Sequence, residues 1–181
     1  MNQTLKQYQE VITYCHELFE KKTRDYGTSW RMLRPISIVD QIYIKASRIR
    51  QIQETGTQKI GDSIDSEFVG IVNYGIIALI QGGLTEDTPV DLSIDEATAH
   101  YQTQAQHVED LMMQKNHDYG EAWREMNQAS FVDLILVKLL RIKQILANDG
   151  KTQVSEGIDA NFADIINYAI FALINANYLS K

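Results

Sequence analysis

The amino-acid sequence contains an internal repeat, which limits the folds that the chain can adopt. The segment KTRDYGTSWR (22–31) returns as KNHDYGEAWR (115–124), with identical residues at six of ten positions. After a one-residue shift in register, IDSEFVGIVNYGIIALI (64–80) aligns in the same order with IDANFADIINYAIFALI (158–174). Matches that keep their order over most of the chain indicate two copies of one structural unit.

Each copy is predicted to contain three helices. With only 2 prolines and 10 glycines in 181 residues, long helices are favoured over turn-rich strands. Gly27 and Gly120 are placed to end the first helix of each copy in the left-handed conformation. Apolar residues recurring every three to four positions give the approximate bounds 3–24, 37–53 and 64–81 for the first copy, and 94–117, 130–147 and 158–178 for the second.

The second and third helices are apolar around nearly their whole circumference, which predicts burial on all sides. One copy cannot cover both of these helices by itself. We therefore predict an all-α fold of two tandem three-helix repeats that share a central four-helix bundle about a pseudo-two-fold axis. Residues 1–181 would form a single compact domain, with repeat one at 1–82, a linker at 83–93 and repeat two at 94–181.

Charge and composition bear on partners and location. A net charge of -7 argues against general nucleic-acid binding. The single cysteine, Cys15, cannot form an internal disulfide, and the polar N-terminus lacks a signal sequence, so we expect a cytoplasmic protein. The longest apolar runs, 71–80 and 165–174, are about half a membrane span, and no membrane association is expected. A homodimer remains open.

Charged residues within the apolar second helix are the first candidates for a site. At about 100° per residue, Asp133, Lys138 and Arg141 fall within an arc of roughly 140°, so we predict that they face one pocket. Leaving a buried lysine or arginine unpaired costs about 3 to 5 kcal/mol. The two basic residues are therefore expected to face Asp133, Asp164 or a bound anion.

Two interpretations of these basic residues stay open. In the first, they belong to an internal salt-bridge network that fixes the packing of the bundle. In the second, they hold phosphate oxygens while neighbouring carboxylates recruit Mg²⁺. The repetition of the pair, as Lys45 and Arg48 and again as Lys138 and Arg141, favours the phosphate site.

The DYG segments contain the only two tryptophans, Trp30 and Trp123. A tryptophan at this place either stacks on a base or fills the core, and the core position is the commoner one. Arg31 and Arg124 are predicted either to pair with the aspartate of the same segment or to reach a ligand.

The second copy resembles a known family. Its KLLRIKQIL run, followed by EGIDANFADIINYAIFAL, is similar to the Lys-x-x-Arg-Ile and Asp-x-x-Asn-Tyr-Ala helices of the nucleotide modification associated domain family. The DYG segment is also similar. The resemblance implies that the site includes polar residues of the third helix and the loop before it, namely Glu156, Asp159, Asp164, Asn167 and Tyr168.

More distantly, the arrangement resembles the all-α nucleoside triphosphate pyrophosphohydrolases, the MazG-like and dimeric dUTPase-like enzymes. In those enzymes carboxylates on two neighbouring helices hold Mg²⁺, and the first helix carries Glu-x-x-Glu. Here the comparable helix offers Asp133, Lys138 and Arg141, which favours nucleotide binding over hydrolysis. Because Gly70 stands where the second copy has Asp164, the second copy is expected to hold the stronger acidic site.

The sequence therefore predicts a nucleotide-binding protein, in its enzymatic form a Mg²⁺-dependent pyrophosphohydrolase acting on a nucleotide or modified nucleotide. The alternative is a non-catalytic helical scaffold with a structural polar core. The predicted metal ligands are Asp164, Asp159 and Glu156. The predicted substrate and phosphate contacts are Lys138, Arg141, Lys45, Arg48, Asn167, Tyr168, Trp123 and Arg124.

Overall fold

The computed structural model describes residues 2–180, and within that range it contains six α-helices, three short 3-10 helices and no strand. The all-α prediction is confirmed, and the predicted helix ends differ from the observed ones by at most three residues. The α-helices are α1 (Asn2–Tyr26), α2 (Pro35–Thr55), α3 (Ile64–Gly83), α4 (Ile94–Tyr119), α5 (Gln128–Ala147) and α6 (Ile158–Asn175). The 3-10 helices are Ser29–Met32, Ala122–Glu125 and Tyr178–Ser180.

Local sequence explains where the helices begin and end. Gly27 and Gly120 follow α1 and α4 with φ of +70° and +59°, the left-handed conformation that glycine adopts without strain. Ser63 caps α3 by accepting a hydrogen bond from a backbone N–H of the first turn. Ser93 and Glu96 form a reciprocal capping box at the start of α4.

The core is a four-helix bundle of α2, α3, α5 and α6, as the repeat predicts. Within it, α3 packs on α6, α2 on α3, α5 on α6 and α2 on α5. The buried residues of both copies form one continuous hydrophobic cluster. Helices α3 and α6 approach so closely that a Cβ atom at Gly75 would lie 2.5 Å from Cγ1 of Ile166, so a larger residue there would force the helices apart.

The first helix of each copy crosses to the third helix of the other copy. Tyr8 of α1 donates a hydrogen bond to Oδ1 of Asn167 in α6 at 2.8 Å, and Tyr101 of α4 donates to Oδ1 of Asn73 in α3 at 2.7 Å. All four side chains are buried. Because Tyr101 is equivalent to Tyr8 and Asn167 to Asn73, this reciprocal pair displays the pseudo-two-fold relation directly.

The prediction that the second helices are buried on all sides is wrong. On α5, Val137 and Leu140 are 45% and 60% exposed, and Ile44 of α2 is 60% exposed. Each of these helices packs against two neighbours in the bundle, so its remaining face meets solvent despite its apolar residues.

Two helical segments, Ile64–Gly83 and Ile158–Ser180, are long and apolar enough to cross a membrane by those two criteria alone. Of the most apolar window in each, 56% and 61% is buried inside the protein. Packing in the centre of the bundle accounts for their composition.

Candidate functional site

Each half of the molecule contains a cavity enclosed by its DYG segment and its third helix. The first-half cavity, about 370 Å³, is lined by residues that include Lys22, Tyr26, Trp30, Lys45, Gly70 and Tyr74. The second-half cavity, about 420 Å³, is lined by residues that include Lys115, Tyr119, Trp123, Asp164 and Tyr168. Every one of these second-half residues has its repeat equivalent in the first-half cavity, so the pseudo-two-fold axis relates the two cavities.

In the second-half cavity a carboxylate holds two lysines. Asp164 accepts hydrogen bonds from Nζ of Lys115 at 2.5 Å and from Nζ of Lys138 at 2.7 Å. Burial by itself would raise the pKa of Asp164, but the two ammonium groups outweigh it and hold that pKa below its usual value. Lys138 therefore faces one of the partners that we predicted for it.

In the first-half cavity this carboxylate is missing, because the equivalent residue is Gly70. The side chain of Lys45 lies over the glycine, with its Cε 2.8 Å from the position that a Cβ atom would take. The acid of this half is Glu67, one helical turn earlier, which accepts from Lys45 at 3.3 Å and from Arg48 at 2.7 Å. Lys22, the equivalent of Lys115, has no ion-pair partner within residues 2–180.

The arginines of the second helices, Arg48 and Arg141, also differ in their partners. Arg48 donates to Glu67 and also to the backbone oxygens of Ile60 at 3.3 Å and Asp62 at 2.7 Å, so it fixes the loop between α2 and α3. Arg141 is exposed and makes no hydrogen bond or ion pair in the described part of the chain. It lines an open groove of about 1040 Å³ together with Lys138.

The tryptophans are core residues with different partners. Trp123 is 7% exposed, stacks on Phe171 at 4.3 Å between ring centroids, and donates its indole N–H to Asn116 at 2.9 Å. Trp30 is equally buried, but its indole nitrogen has no hydrogen-bond partner among the described residues. Position 23, equivalent to 116, is Thr23, whose hydroxyl donates to the backbone oxygen of Phe19 at 2.8 Å.

The arginines of the DYG segments do not pair with Asp25 or Asp118, so that alternative is wrong. Arg124 donates to Glu121 at 2.9 Å and to Gln7 at 2.9 Å, which ties the second copy to α1. Arg31 instead binds the linker, with a hydrogen bond of 2.9 Å to the backbone oxygen of Thr88. Each arginine therefore holds a neighbouring segment in place: Arg124 holds α1, and Arg31 holds the linker.

Glu121 is the most strongly perturbed carboxyl near this segment. Hydrogen bonds from Thr4 and Arg124 lower its pKa to about 2. Its equivalent in the first half is Thr28, which donates to the backbone oxygen of Val90 at 2.7 Å. At this position of the repeat, the second half therefore has a charged side chain, Glu121, and the first half a neutral one, Thr28.

Two further polar residues of α6, Asn167 and Tyr168, both line the second-half cavity. The side chain of Asn167 is buried in the crossed contact with Tyr8. Tyr168 is half-buried and lines the second-half cavity, and its pKa is raised by burial and by the neighbouring Asp164.

The prediction that Asp133 shares a pocket with Lys138 and Arg141 is wrong. Asp133 is exposed and lies 3.6 Å from Arg50 of α2. The equivalent pair, Asp40 and Lys143, lies at 3.0 Å. An arc of roughly 140° is wide enough to span two faces of one helix, and the bundle separates them.

The three predicted metal ligands are spread over three cavities. Asp164 lines the second-half cavity, Glu156 lines the groove beside Arg141, and Asp159 lines a third cavity near Gly82. Across residues 2–180, no three Asp, Glu, His or Cys side chains lie together as a metal site requires. Both oxygens of Asp164 are already bound to lysines, so this donor set does not fit Mg²⁺, and the metal assignment stays a prediction.

Sequence reasoning missed Lys22 and Lys115. The signal was present, because this lysine opens both DYG segments at an offset of 93 residues. It was assigned no role because it precedes the glycine at the exposed end of a helix, and only the fold brings it back over the third helix.

A family model described as nucleotide modification associated domain 1 matches residues 22–81 and 115–176. The two matched segments coincide with the two repeats, each from its DYG lysine to the end of its third helix. No curated protein matches the chain, and no solved structure matches it. Since the family model covers more than half of the sequence, the chain belongs to the nucleotide modification associated domain 1 family.

Proposed function

We propose that this protein binds a nucleotide through its phosphate groups. The observation that carries the proposal is a surplus of positive charge in each half, at a different position of the repeat. Each half has three basic side chains and one carboxylate that pairs with two of them. The third, Lys22 in the first half and Arg141 in the second, has no anionic partner among the described residues.

Phosphate suits this arrangement for two reasons. Lysine and arginine bind phosphate oxygens by charge-assisted hydrogen bonds, which are stronger than those between neutral groups. The cavities beside these cations are also lined by aromatic side chains, Tyr26 and Tyr74 in the first half and Tyr119 and Tyr168 in the second, which suit a planar base. The family's description, which links it to nucleotide modification, points to the same class of ligand.

Binding is favoured over hydrolysis by the chemistry of the second helices. The pyrophosphohydrolases that the sequence resembles need carboxylates on two neighbouring helices, whereas here α5 presents Lys138 and Arg141. The single carboxylate facing them, Asp164, is held by two lysines. The proposal therefore includes no step that depends on Mg²⁺.

Thermal unfolding of the unaltered protein with a panel of nucleoside mono-, di- and triphosphates tests the proposal. A ligand present at 100 times its Kd adds about 2.7 kcal/mol of stability. For a chain of this size that is a rise in Tm of roughly 5 to 10 °C. Nucleosides without phosphate serve as the control, and parallel series with and without Mg²⁺ separate metal-dependent binding from direct binding.

The residue assignment is tested by changing one lysine in each half. In the double variant Lys45→Met, Lys138→Met, Glu67 keeps Arg48 and Asp164 keeps Lys115, so neither acid is left unpaired. We expect this variant to fold and to lose nucleotide stabilisation. If no nucleotide raises the Tm of the unaltered protein, the nucleotide proposal fails and the scaffold alternative gains support.

A further inference from the structure

The two cavities differ in one respect that decides which can take a ligand. In the second half, the carboxylate of Asp164 lies in the cavity wall and binds both Lys115 and Lys138. In the first half, Gly70 contributes no side chain, and Lys22 and Lys45 line a cavity of about 370 Å³ without that carboxylate. The second half shows what these two lysine positions bind when a carboxylate is available, namely one anion held between them.

We propose that the first-half cavity is the nucleotide site, and that it holds a mononucleotide whose phosphate lies between Lys22 and Lys45, the equivalents of the two lysines that hold Asp164 in the second half. This inference rests on the proposed function and specifies its place and ligand class. The second-half cavity already carries its own anion and is closed to the ligand.

An unpartnered polar group in the same cavity wall supports this assignment. The indole nitrogen of Trp30 is buried without a hydrogen-bond partner in the described chain, whereas its equivalent on Trp123 donates to Asn116. A buried donor without a partner costs about 1 to 3 kcal/mol, so such groups call for an explanation. Thr23 is shorter than asparagine and donates to Phe19, so the donor of Trp30 has no partner in the described chain, and a ring nitrogen or carbonyl of a base would reach it once the side chains around it shift on binding.

Size and charge restrict the ligand further. About 370 Å³ is near the lower end of the range for small-molecule sites, which suits one nucleotide. A phosphate monoester carries a charge of about -1.5 to -2 at pH 7. Lys22, Lys45 and Arg48 together with Glu67 leave a formal surplus of two positive charges, which a monophosphate balances.

The two tryptophans provide a separate reporter for each cavity. In Trp123→Phe the only tryptophan is Trp30, and in Trp30→Phe it is Trp123. The probes are the nucleoside 5′-monophosphates, with inorganic phosphate and the free nucleosides as partial ligands. We expect a saturable change in fluorescence in Trp123→Phe, and none in Trp30→Phe at the same concentrations.

Adding the missing carboxylate tests the site itself. Gly70→Asp, made in the Trp123→Phe background, should weaken monophosphate binding at least tenfold, because the new side chain pairs with Lys22 and Lys45. The side chain of Lys45 must move, and the equivalent pair in the second half, Asp164 and Lys138, shows that an aspartate and a lysine fit together at these positions. Gly83→Asp is the matched control: it adds the same charge to the same helix at an open position.

The reverse change tests the second cavity. Asp164→Gly in the Trp30→Phe background removes the internal anion, and Trp123 should then respond to monophosphates. Circular dichroism and unfolding without ligand establish that each variant is folded. In Gly70→Asp we expect the Tm without ligand to be unchanged or higher.

The possible failures are distinct. If nucleotides stabilise the protein but Trp30 does not respond and Gly70→Asp binds as tightly as Gly83→Asp, the first-half assignment is overturned and the proposed function stands. A response of Trp123 alone would instead place the site in the second half. If no nucleotide or phosphate stabilises the unaltered protein, the proposed function and the inference both fall.

Discussion

The two halves of this molecule share their helices, cavities and basic positions, yet their carboxylates sit one helical turn apart. In the first half the acid is Glu67 and the next turn has Gly70; in the second half Asn161 takes the place of Glu67 and the acid is Asp164. This small difference changes which cation is left without a partner, Lys22 or Arg141, and whether the cavity contains its own anion. If the proposed site is right, the position of one charge separates a ligand site from a structural salt bridge on the same scaffold.

The largest loss of stability is expected from replacing the acid of each half in turn. Glu67→Gln leaves Lys45 and Arg48 without an anion, and both side chains are mostly buried, so we expect a loss of about 2 to 3 kcal/mol in the free energy of unfolding. Asp164→Asn should cost a similar amount, about 2 kcal/mol, because it leaves Lys138 without an anion and this lysine is more buried than Lys45 or Arg48, whereas Lys115 is half exposed and can be hydrated.

Urea unfolding in phosphate-free buffer measures both losses. Asp40→Asn is the control, since its pair with Lys143 is exposed and should contribute under about 0.5 kcal/mol. A loss from either variant as small as that from Asp40→Asn would contradict the view that Glu67 and Asp164 belong to embedded ion pairs.

The next largest difference is expected between the tryptophans. Trp123→Phe removes a buried hydrogen bond to Asn116 and part of the stack on Phe171, for an expected loss of about 2 kcal/mol. Trp30→Phe removes an indole donor that has no partner in the described chain, so only the packing loss remains and the cost should stay below about 1 kcal/mol. Equal losses in chemical unfolding without ligand would show that Trp30 has a hydrogen bond in solution.

The smallest effect concerns acid stability. The folded-state pKa of Glu121 is about 2, below its ordinary value of 4.5, so the stability that it contributes is present above about pH 4.5 and is lost as the pH falls towards about 2. Glu121→Gln should therefore make the decline of unfolding free energy across this range shallower, by under about 1 kcal/mol because the side chain is part exposed.

The matched change in the first half is Thr28→Ser, which introduces no titrating group and should leave the slope unaltered. Some slope must persist in Glu121→Gln, because Asp164 also has a lowered pKa and contributes in the same direction. If the unfolding free energy of Glu121→Gln falls with decreasing pH as steeply as that of the unaltered protein, the carboxylate of Glu121 is equally stabilised in the unfolded chain.

The sequence was sufficient to predict the helices, the repeat and the shared bundle, because apolar periodicity and the terminal glycines are local signals. It was insufficient for the exposed faces of α2 and α5, since composition does not state how many neighbours a helix has. The wrong assignment of Asp133 has the same origin: the angle along a helix is known, but which side faces the third helix depends on packing.

The candidate site was predicted only in part. Lys138 and Asp164 were both identified from the sequence, because charged residues are conspicuous on apolar helices. In the structure they form a hydrogen bond with each other. Lys22 was missed although the lysine is repeated, because only the structure shows that it lines the cavity without an ion-pair partner among the described residues, and the same holds for the missing hydrogen-bond partner of Trp30. Gly70 was noted as the loss of an acid, and only the structure shows that the side chain of Lys45 lies directly over this glycine.

The crossed arrangement of the first helices bears on how the two halves of such a molecule can diverge in sequence. Tyr8 reaches Asn167 and Tyr101 reaches Asn73, so each half is completed by a helix of the other, as in a dimer whose subunits exchange an arm. In a dimer of identical subunits a substitution appears at both sites at once, and an aspartate at one third helix would block both cavities. Joining the two copies in one polypeptide removes that restriction and allows glycine at one position while aspartate stands at the other.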